Sequence, residues 1–413
     1  MHDDSEELNG GIVRKDSNFP TAPGREDVQP GAINNSPRGM GSFPPADDLR
    51  PPVSIATSLE RTVRRGLLRL LRIGGPEQGL PKLRPEELRR VLLIRYDRLG
   101  DMVITTPFLS ALKDLAPDVE IDILASPANK VLVDRDPRVH QVIVWENSAA
   151  GRLRAIRECR RRNYDAVFQL ILGRTTLPAL LARRLAPRGR LIGKSTTGHD
   201  FLMHHATPSA ADGHFSDRTL SLLWEGLQLD APLPDYPYAL HIPESDRQSA
   251  EAELARHDLL ARPFILLNIS ASASIRELTG EQNIELARGL AALGYPVGIT
   301  GAPVARELVR EIAAAAGGYP LSFRSLLSAA AGMAHARMVV TPDTGTVHVA
   351  SAVGVPTVVM YWRMGHPGGW APRGVPYRIV QAERGELLRD IDTADVVKAA
   401  ADLLREIGKG TEW

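Results

Sequence analysis

Several features are scarce in this 413-residue chain, and each scarcity removes a class of function. Cysteine occurs once, at Cys159, so no internal disulfide can form, and no Cys/His spacing suggests a zinc site. A reducing compartment fits that usage. Charge of one sign is not in excess: 50 Lys and Arg stand against 49 Asp and Glu, leaving no global field of the kind that draws nucleic acid. No apolar run has the length needed to cross a bilayer, and the opening MHDDSEELNGG is acidic without a signal-peptide apolar core. A cytoplasmic protein is expected. The loop after the first strand pattern holds neither G-x-G-x-x-G nor G-x-x-x-x-G-K-[ST], which weakens dehydrogenase-like and kinase-like readings.

What is present is organised in blocks. Residues 1–57 are rich in Gly, Pro, Ser, Asn and Asp without apolar periodicity, so they read as a disordered tail. A basic amphipathic helix is expected within 58–80: Leu59, Val63, Leu67, Leu70 and Leu71 form a stripe, with Arg61, Arg64, Arg65, Arg69 and Arg72 beside it. Such a helix suits an anionic membrane surface or a dock on the first domain. From VLLIRY (91–96) onward, strand-length apolar runs alternate with helical patterns, through DAVFQLI (165–171) and again from FILLNIS (264–270) to PTVVMYW (356–362). This alternation predicts α/β architecture with parallel sheets, in two doubly wound domains over 90–240 and 246–385 facing a central cleft. The Pro-rich 229–246 reads as their linker, and a last helix falls within 386–410. No internal sequence repeat is evident, so the halves share a pattern only.

Ligands of open α/β sheets bind beyond the carboxyl ends of the strands. In YDRLGDMV (96–103), Gly100 allows close backbone approach and Asp101 stands at a helix start. Asp101 either caps the helix or, projecting into the cleft, takes a proton from an attacking hydroxyl; Asp97 is the nearby rival. In TPDTGTVHVASAVGVP (341–356), Asp343, Thr344 and Gly345 open a helix whose N–H groups would hold a diphosphate. His348, one turn on, could face the same anion; the plainer alternative makes Asp343 the N-cap and His348 a core histidine. The D-T-G occurs once and opens a helix, unlike the paired carboxylates of aspartic proteases. Ser270, Ser272, Ser274 and Arg276 would make a phosphate-binding loop, because arginine forks onto phosphate oxygens. The acidic tripeptides DRD (134–136) and DID (390–392) are read as chance likenesses of a metal motif.

Taken in order, these segments resemble glycosyltransferase family 9, the bacterial lipopolysaccharide heptosyltransferases, over roughly residues 90–405. VLLIRYDRLGDMVITTPFLSALK looks like that family's opening strand, Gly-Asp turn and helix, and TPDTGTVHVASAVGVPTVVMYW like its donor signature. The resemblance implies a GT-B fold and inversion at the anomeric carbon without metal or other cofactor. By the same resemblance Asp101 is the base, while Asp343, Thr344, Gly345 and His348 form the donor site. Arg98, Gly100 and Arg174 fall at acceptor positions, although an exposed arginine is the plain alternative for Arg174. The final helix would cross back onto the first domain. The implied donor is ADP-heptose. The implied acceptor is a lipopolysaccharide core or related glycan, with peripheral contact at the inner membrane and no nucleic-acid partner. Two departures stand out: Arg276, Glu277 and Leu278 replace the family's lysine followed by tryptophan, and no acid follows Ala302 to bind a donor ribose. A same-fold transferase with another nucleotide sugar or a protein acceptor, or a non-catalytic nucleotide-sugar-binding protein, are the alternatives.

Overall fold

Buried strands alternate their side chains between two cores, and this alternation builds the protein. In the computed structural model, which describes residues 83–172, 176–195, 202–207, 213–365 and 367–409, the chain forms two lobes. The first contains β1 (Arg90–Arg95), α1 (Leu99–Leu115), β2 (Glu120–Ala125), β3 (Gln141–Val144), α2 (Ala149–Arg162), β4 (Ala166–Gln169), α3 (Thr176–Leu185), β5 (Arg190–Lys194), β6 (His205–Thr207) and α4 (Phe215–Gly226). The second contains α5 (Glu244–Ala255), β7 (Ile265–Asn268), α6 (Gly280–Ala291), β8 (Val297–Thr300), α7 (Arg306–Ala316), β9 (Tyr319–Pro320) and α8 (Leu326–Ala334). It continues through β10 (Met338–Pro342), α9 (Gly345–Ala352), β11 (Thr357–Tyr361), the single turn α10 (Pro367–Trp370), β12 (Tyr377–Gln381) and α11 (Thr393–Lys409). The expected tail, the basic helix of 58–80 and Arg174 lie outside the described residues.

Each sheet is six-stranded and parallel. The orders are β3-β2-β1-β4-β5-β6 and β9-β8-β7-β10-β11-β12. Both lobes therefore share one doubly wound topology despite the lack of sequence repetition. On β1, Val91 and Leu93 face one core and Leu92 and Ile94 another; on β7, Leu266 and Ile265 divide in the same way. Helices on both faces explain why these strands read as unbroken apolar runs. α2 and α3 cover the outer face of the first sheet, whereas α6, α7 and α11 cover that of the second. Side chains from α1, α4, α5, α8 and α9 join one continuous buried cluster between the sheets, so the lobes share an inner core.

α1 carries a proline in its interior, Pro107, which has no N–H for the Val103 carbonyl. The Thr106 hydroxyl replaces it, donating to the Val103 oxygen at 2.7 Å, and accepts in turn from the Ala239 N–H at 3.1 Å. The interdomain connection is thereby tied to α1. Its expected extent is shortened, because α5 begins at Glu244 with Glu244 and Asp246 in the first turn, where negative charge is favoured.

The final helix differs from expectation. Val396, Ala400 and Leu403 lie on one stripe and bury into the second lobe's own outer core, against α6, β11 and β12. That apolar stripe finds its complement on the sheet it follows, so α11 does not cross back. A different segment makes the return. Trp370 stacks on Phe215 with ring centroids 4.0 Å apart, His214 Nε2 donates to the Ala371 carbonyl at 3.0 Å, and Arg373 pairs with Asp217 and Asp235 of the first lobe and its linker.

Candidate active site

With the strand order of both sheets reversing beside β1 and β7, the loops after β1, β4, β7 and β10 lie at the switch points. Three of these four loops carry the residues singled out from sequence; Arg174, after β4, is the one not described. A cavity of about 1010 Å³ opens between the lobes, with Arg98, Asp101, Ser272, Arg276, Asp343 and Thr344 among its walls. Its floor is a close approach of two helix starts. A Cβ on Gly100 would fall 3.3 Å from the Gly345 Cα and 2.8 Å from His348 Cδ2, so only glycine fits at Gly100 without displacing the opposite lobe.

Asp101 is the third residue of α1, whose N-cap is Arg98, a residue that makes no side-chain cap bond. The Asp101 carboxylate lies in the first turn, near the Arg98 backbone N–H, and lines the cavity from there; a place at the helix start and one in the cleft are compatible. Burial raises its pKa, opposed by the Arg95 cation and by Arg98, and reinforced by Asp97. Asp97, the rival, does not line the cavity and is held by Arg95 Nη1 at 3.0 Å.

Arg95 was not anticipated. It ends β1 only 3% exposed, with Nε donating to Thr105 Oγ1 at 2.8 Å and Nη2 to Thr219 Oγ1 at 3.5 Å. The signal was available: a guanidinium closing a fully buried strand must have partners, because an unpaired buried charge costs several kcal/mol, on the order of 3–5. Arg95 fixes the β1–α1 loop and supplies a positive field beside Asp101.

Across the cavity, Thr344 rather than Asp343 caps α9, its Oγ1 accepting from the Thr346 N–H at 3.0 Å. Asp343 is left to face Arg276, whose Nη1 donates to Asp343 Oδ2 at 3.3 Å and to its carbonyl at 3.4 Å. The Asp343 N–H donates to the Met360 carbonyl at 2.9 Å, fastening this turn to β11. Burial raises the Asp343 pKa, against the pull of Arg276 and Arg98. Arg98 therefore acts on both carboxylates, one from each lobe. Arg276 Nε is buried with no hydrogen-bond partner among the described residues. The arrangement suits a diphosphate: an arginine and a helix N-terminus converge on one point.

Other residues take roles different from those expected. Ser270 Oγ accepts from the Ala302 N–H at 2.8 Å, so it ties the β7 loop to the β8 loop. Ser272 stands exposed on the cavity wall, and Ser274 opens the short turn Ser274–Arg276 that aims the arginine. His348 is 4% exposed between Gly100, Tyr238 and Trp370, and burial, assisted by His214, pushes its pKa down from 6.5 to about 3. It is neutral, and so brings no positive charge to an anion. Asn268, missed from sequence, clamps the site: its Nδ2 donates to Thr341 Oγ1 at 2.9 Å, to the Ser270 carbonyl at 3.1 Å and to Thr346 Oγ1 at 3.3 Å. The acidic tripeptides serve local structure. Asp136 holds Arg138, Asp390 accepts from the Leu387 N–H, and Asp392 accepts from the Ala394 N–H.

The comparisons with known proteins agree with this geometry. The family model of glycosyltransferase family 9 (heptosyltransferase) matches residues 152–393. Lipopolysaccharide heptosyltransferase 3 of Escherichia coli K12 is 25% identical over 342 residues, which cover 74% of this chain and 96% of that one. A solved glycosyltransferase family 9 protein of Veillonella parvula superposes with a TM-score of 0.69 at 23% identity, covering 79% of this chain and all (100%) of that one. The E. coli ADP-heptose lipopolysaccharide heptosyltransferase II gives a TM-score of 0.63 at 22% identity, covering 77% and 99%. These likenesses establish the doubly wound two-domain GT-B fold.

Proposed function

The chain belongs to glycosyltransferase family 9, and from that membership we propose that it moves a heptose from ADP-heptose onto a lipopolysaccharide-core or related glycan acceptor, with inversion at the anomeric carbon. One observation carries the reading of the site. A buried carboxylate with raised basicity, Asp101, and an anion-holding corner made by Arg276 and the start of α9 line one cavity from opposite lobes. An acceptor hydroxyl and a donor diphosphate fit there on either side of an anomeric carbon.

In the proposed step Asp101 takes the proton of the acceptor hydroxyl while that oxygen bonds to the anomeric carbon and the bond to the diphosphate breaks. The charge gathering on the departing nucleotide meets the Arg276 guanidinium and the positive end of the α9 dipole, both oriented before reaction. Asp343 holds Arg276 in position. Arg98, exposed between the two carboxylates, is assigned to the acceptor's anionic groups, and Gly100 lets the lobes close. The site is placed on the cytoplasmic side of the inner membrane, where a membrane-borne acceptor would meet a soluble donor.

A second donor is favoured by one feature. Glu277 accepts from the Ala271 N–H and Leu278 is buried in the core, so neither offers the tryptophan packing that the family resemblance implied. Thermal melts with ADP, ADP-heptose, UDP and GDP separate the readings, since binding to the folded state raises the melting temperature by mass action. Stabilisation by ADP ligands that vanishes in Arg276→Ala supports the proposal. Stabilisation by UDP or GDP species alone keeps the transferase and removes the heptose.

A further inference from the structure

The cleft uses the carboxyl ends of the strands, and the outer face of the first lobe remains without a role. Helix α2 carries six arginines, Arg152, Arg154, Arg157, Arg160, Arg161 and Arg162, against a single acid, Glu158. α3 and the loop after it add Arg183, Arg184 and Arg188, with no acid in residues 176–195. α2 and α3 lie side by side on one sheet face, packed through Ala155, Cys159, Ala179 and Ala182, so their outer sides form a common surface. In a chain of net charge +1 this is a strong local concentration.

Ordinary structural duties account for part of it. Arg162 is bound to Asp122 and Glu120, and cations in the last turn of α2 complement the helix dipole. Arg152 and Arg154 sit in the N-terminal half, where the dipole disfavours them, and are held by Glu146: Arg152 Nε donates to its carbonyl at 3.3 Å and Arg154 pairs with its carboxylate at 3.7 Å. Arg157, Arg160, Arg161, Arg184 and Arg188 are exposed, and their side chains make no hydrogen bond or ion pair among the described residues. Apolar side chains stand among these charges: Leu153 is 43% and Leu177 75% exposed. Each occupies the first turn or so of a helix that starts at the carboxyl end of its strand, the end at which Asp101 opens on the cavity. Trp145, beneath Arg152 at 5.6 Å, lies at that same end.

We propose that this α2–α3 face rests on an anionic phospholipid bilayer, its arginines among the headgroup phosphates and Leu153 and Leu177 below them. Combined cationic attraction and shallow apolar burial is the chemistry of peripheral membrane attachment. A nucleic-acid partner fits less well, because base stacking needs free aromatic faces and the Trp145 ring is half-buried against Arg152 and Tyr96. The docking does not depend on which sugar the site moves.

The test is flotation of the full-length protein with phosphatidylcholine vesicles with and without phosphatidylglycerol, at about 0.15 M salt. The variant combines Arg157→Gln, Arg160→Gln and Arg161→Gln, exposed positions without partners. Because each basic residue at an anionic surface contributes roughly fivefold in affinity, the triple variant should bind phosphatidylglycerol vesicles roughly a hundredfold more weakly. Leu153→Ser with Leu177→Ser should weaken binding as well. The basic segment 58–73 is common to all these proteins, so the difference isolates the α2 face. Equal flotation of wild type and triple variant overturns the proposal. So does flotation that ignores phosphatidylglycerol, or a wild type that fails to float yet shifts an RNA probe. Melting-temperature shifts with ADP, unchanged between wild type and variant, keep a failure here separate from a failure of the donor site.

Discussion

Replacing Gly100 by alanine tests whether the lobes work in contact. The added methyl would meet His348 Cδ2 at 2.8 Å and the Gly345 Cα at 3.3 Å, against an ordinary carbon–carbon separation of about 3.5–4.0 Å. His348 cannot swing away, being 4% exposed and wedged against Tyr238 and Trp370, and the Gly345 Cα is backbone. The start of α9 must therefore retreat from α1 by about 1 Å, and Arg276, which is bonded to Asp343, retreats with it. Overpacking of this kind costs about 1–3 kcal/mol of stability. A displacement of about 1 Å between a base and the group it serves lowers turnover by about a hundredfold. With the proposed donor, release of ADP from ADP-heptose in the presence of acceptor measures kcat, and a urea titration measures stability. Gly345→Ala, which approaches the Gly100 nitrogen at 3.1 Å, should show the same two losses to a smaller degree. A Gly100→Ala enzyme with wild-type kcat and an unchanged urea midpoint would refute the contact as a feature of the working enzyme.

Other expectations follow from the site and its surroundings. Asp101→Asn should lower kcat by about 10²–10⁴, the usual worth of a general base, while ADP still raises the melting temperature; retained turnover would remove Asp101 from the reaction. Because burial raises its pKa, the acid limb of kcat/KM should lie above the ordinary aspartate value of 3.8 in wild type and be absent from the residual activity of the asparagine variant. Asp343→Asn should weaken ADP-dependent stabilisation by freeing Arg276, yet leave the unliganded protein as stable at neutral pH or more so. The sign follows from the raised pKa: a carboxyl that is harder to ionise when folded subtracts stability once the pH exceeds its unfolded value. His348 acts oppositely, since its folded pKa of about 3 lies below 6.5. Its contribution is present above pH 6.5 and is lost as pH falls toward 3, at up to about 1.4 kcal/mol per pH unit. Urea melts at pH 6.5 and 5 should accordingly diverge more in wild type than in His348→Asn; equal slopes would show that the ring is hydrated rather than buried.

Much of this protein is legible one residue at a time. VLLIRY, FILLNIS and RMVVTP are uninterrupted apolar runs because parallel strands are covered on both faces, and such runs announce themselves without tertiary information. The loops after them could be singled out because doubly wound sheets bind ligands at the carboxyl ends of their strands; Asp101, Arg276 and Asp343 emerged in this way. Four of the elements that escaped detection have a plain physical cause. β6 and β9 are three and two residues long, and β12 is a half-buried edge strand, all too short or too mixed to set a period. α5 buries only Asp246, Ala250, Glu253 and Leu254, and polar residues hide its stripe.

Amino-acid order alone determined the α/β class, the two-fold pattern of lobes and the two carboxylates that face each other across the cleft, since all three depend on local periodicity and on the positions of loops after strands. Tertiary structure alone decided the partners. It assigned the α9 cap to Thr344, which released Asp343 to Arg276; it buried His348 beneath Gly100 and left it neutral; it gave Arg95 to Asp97 and Thr105. It also folded α11 onto its own sheet and returned the chain to the first lobe through Trp370 and Arg373. Charge state, hydrogen-bond choice and docking depend on which groups the fold makes neighbours across long stretches of chain, and a one-dimensional pattern does not contain that proximity.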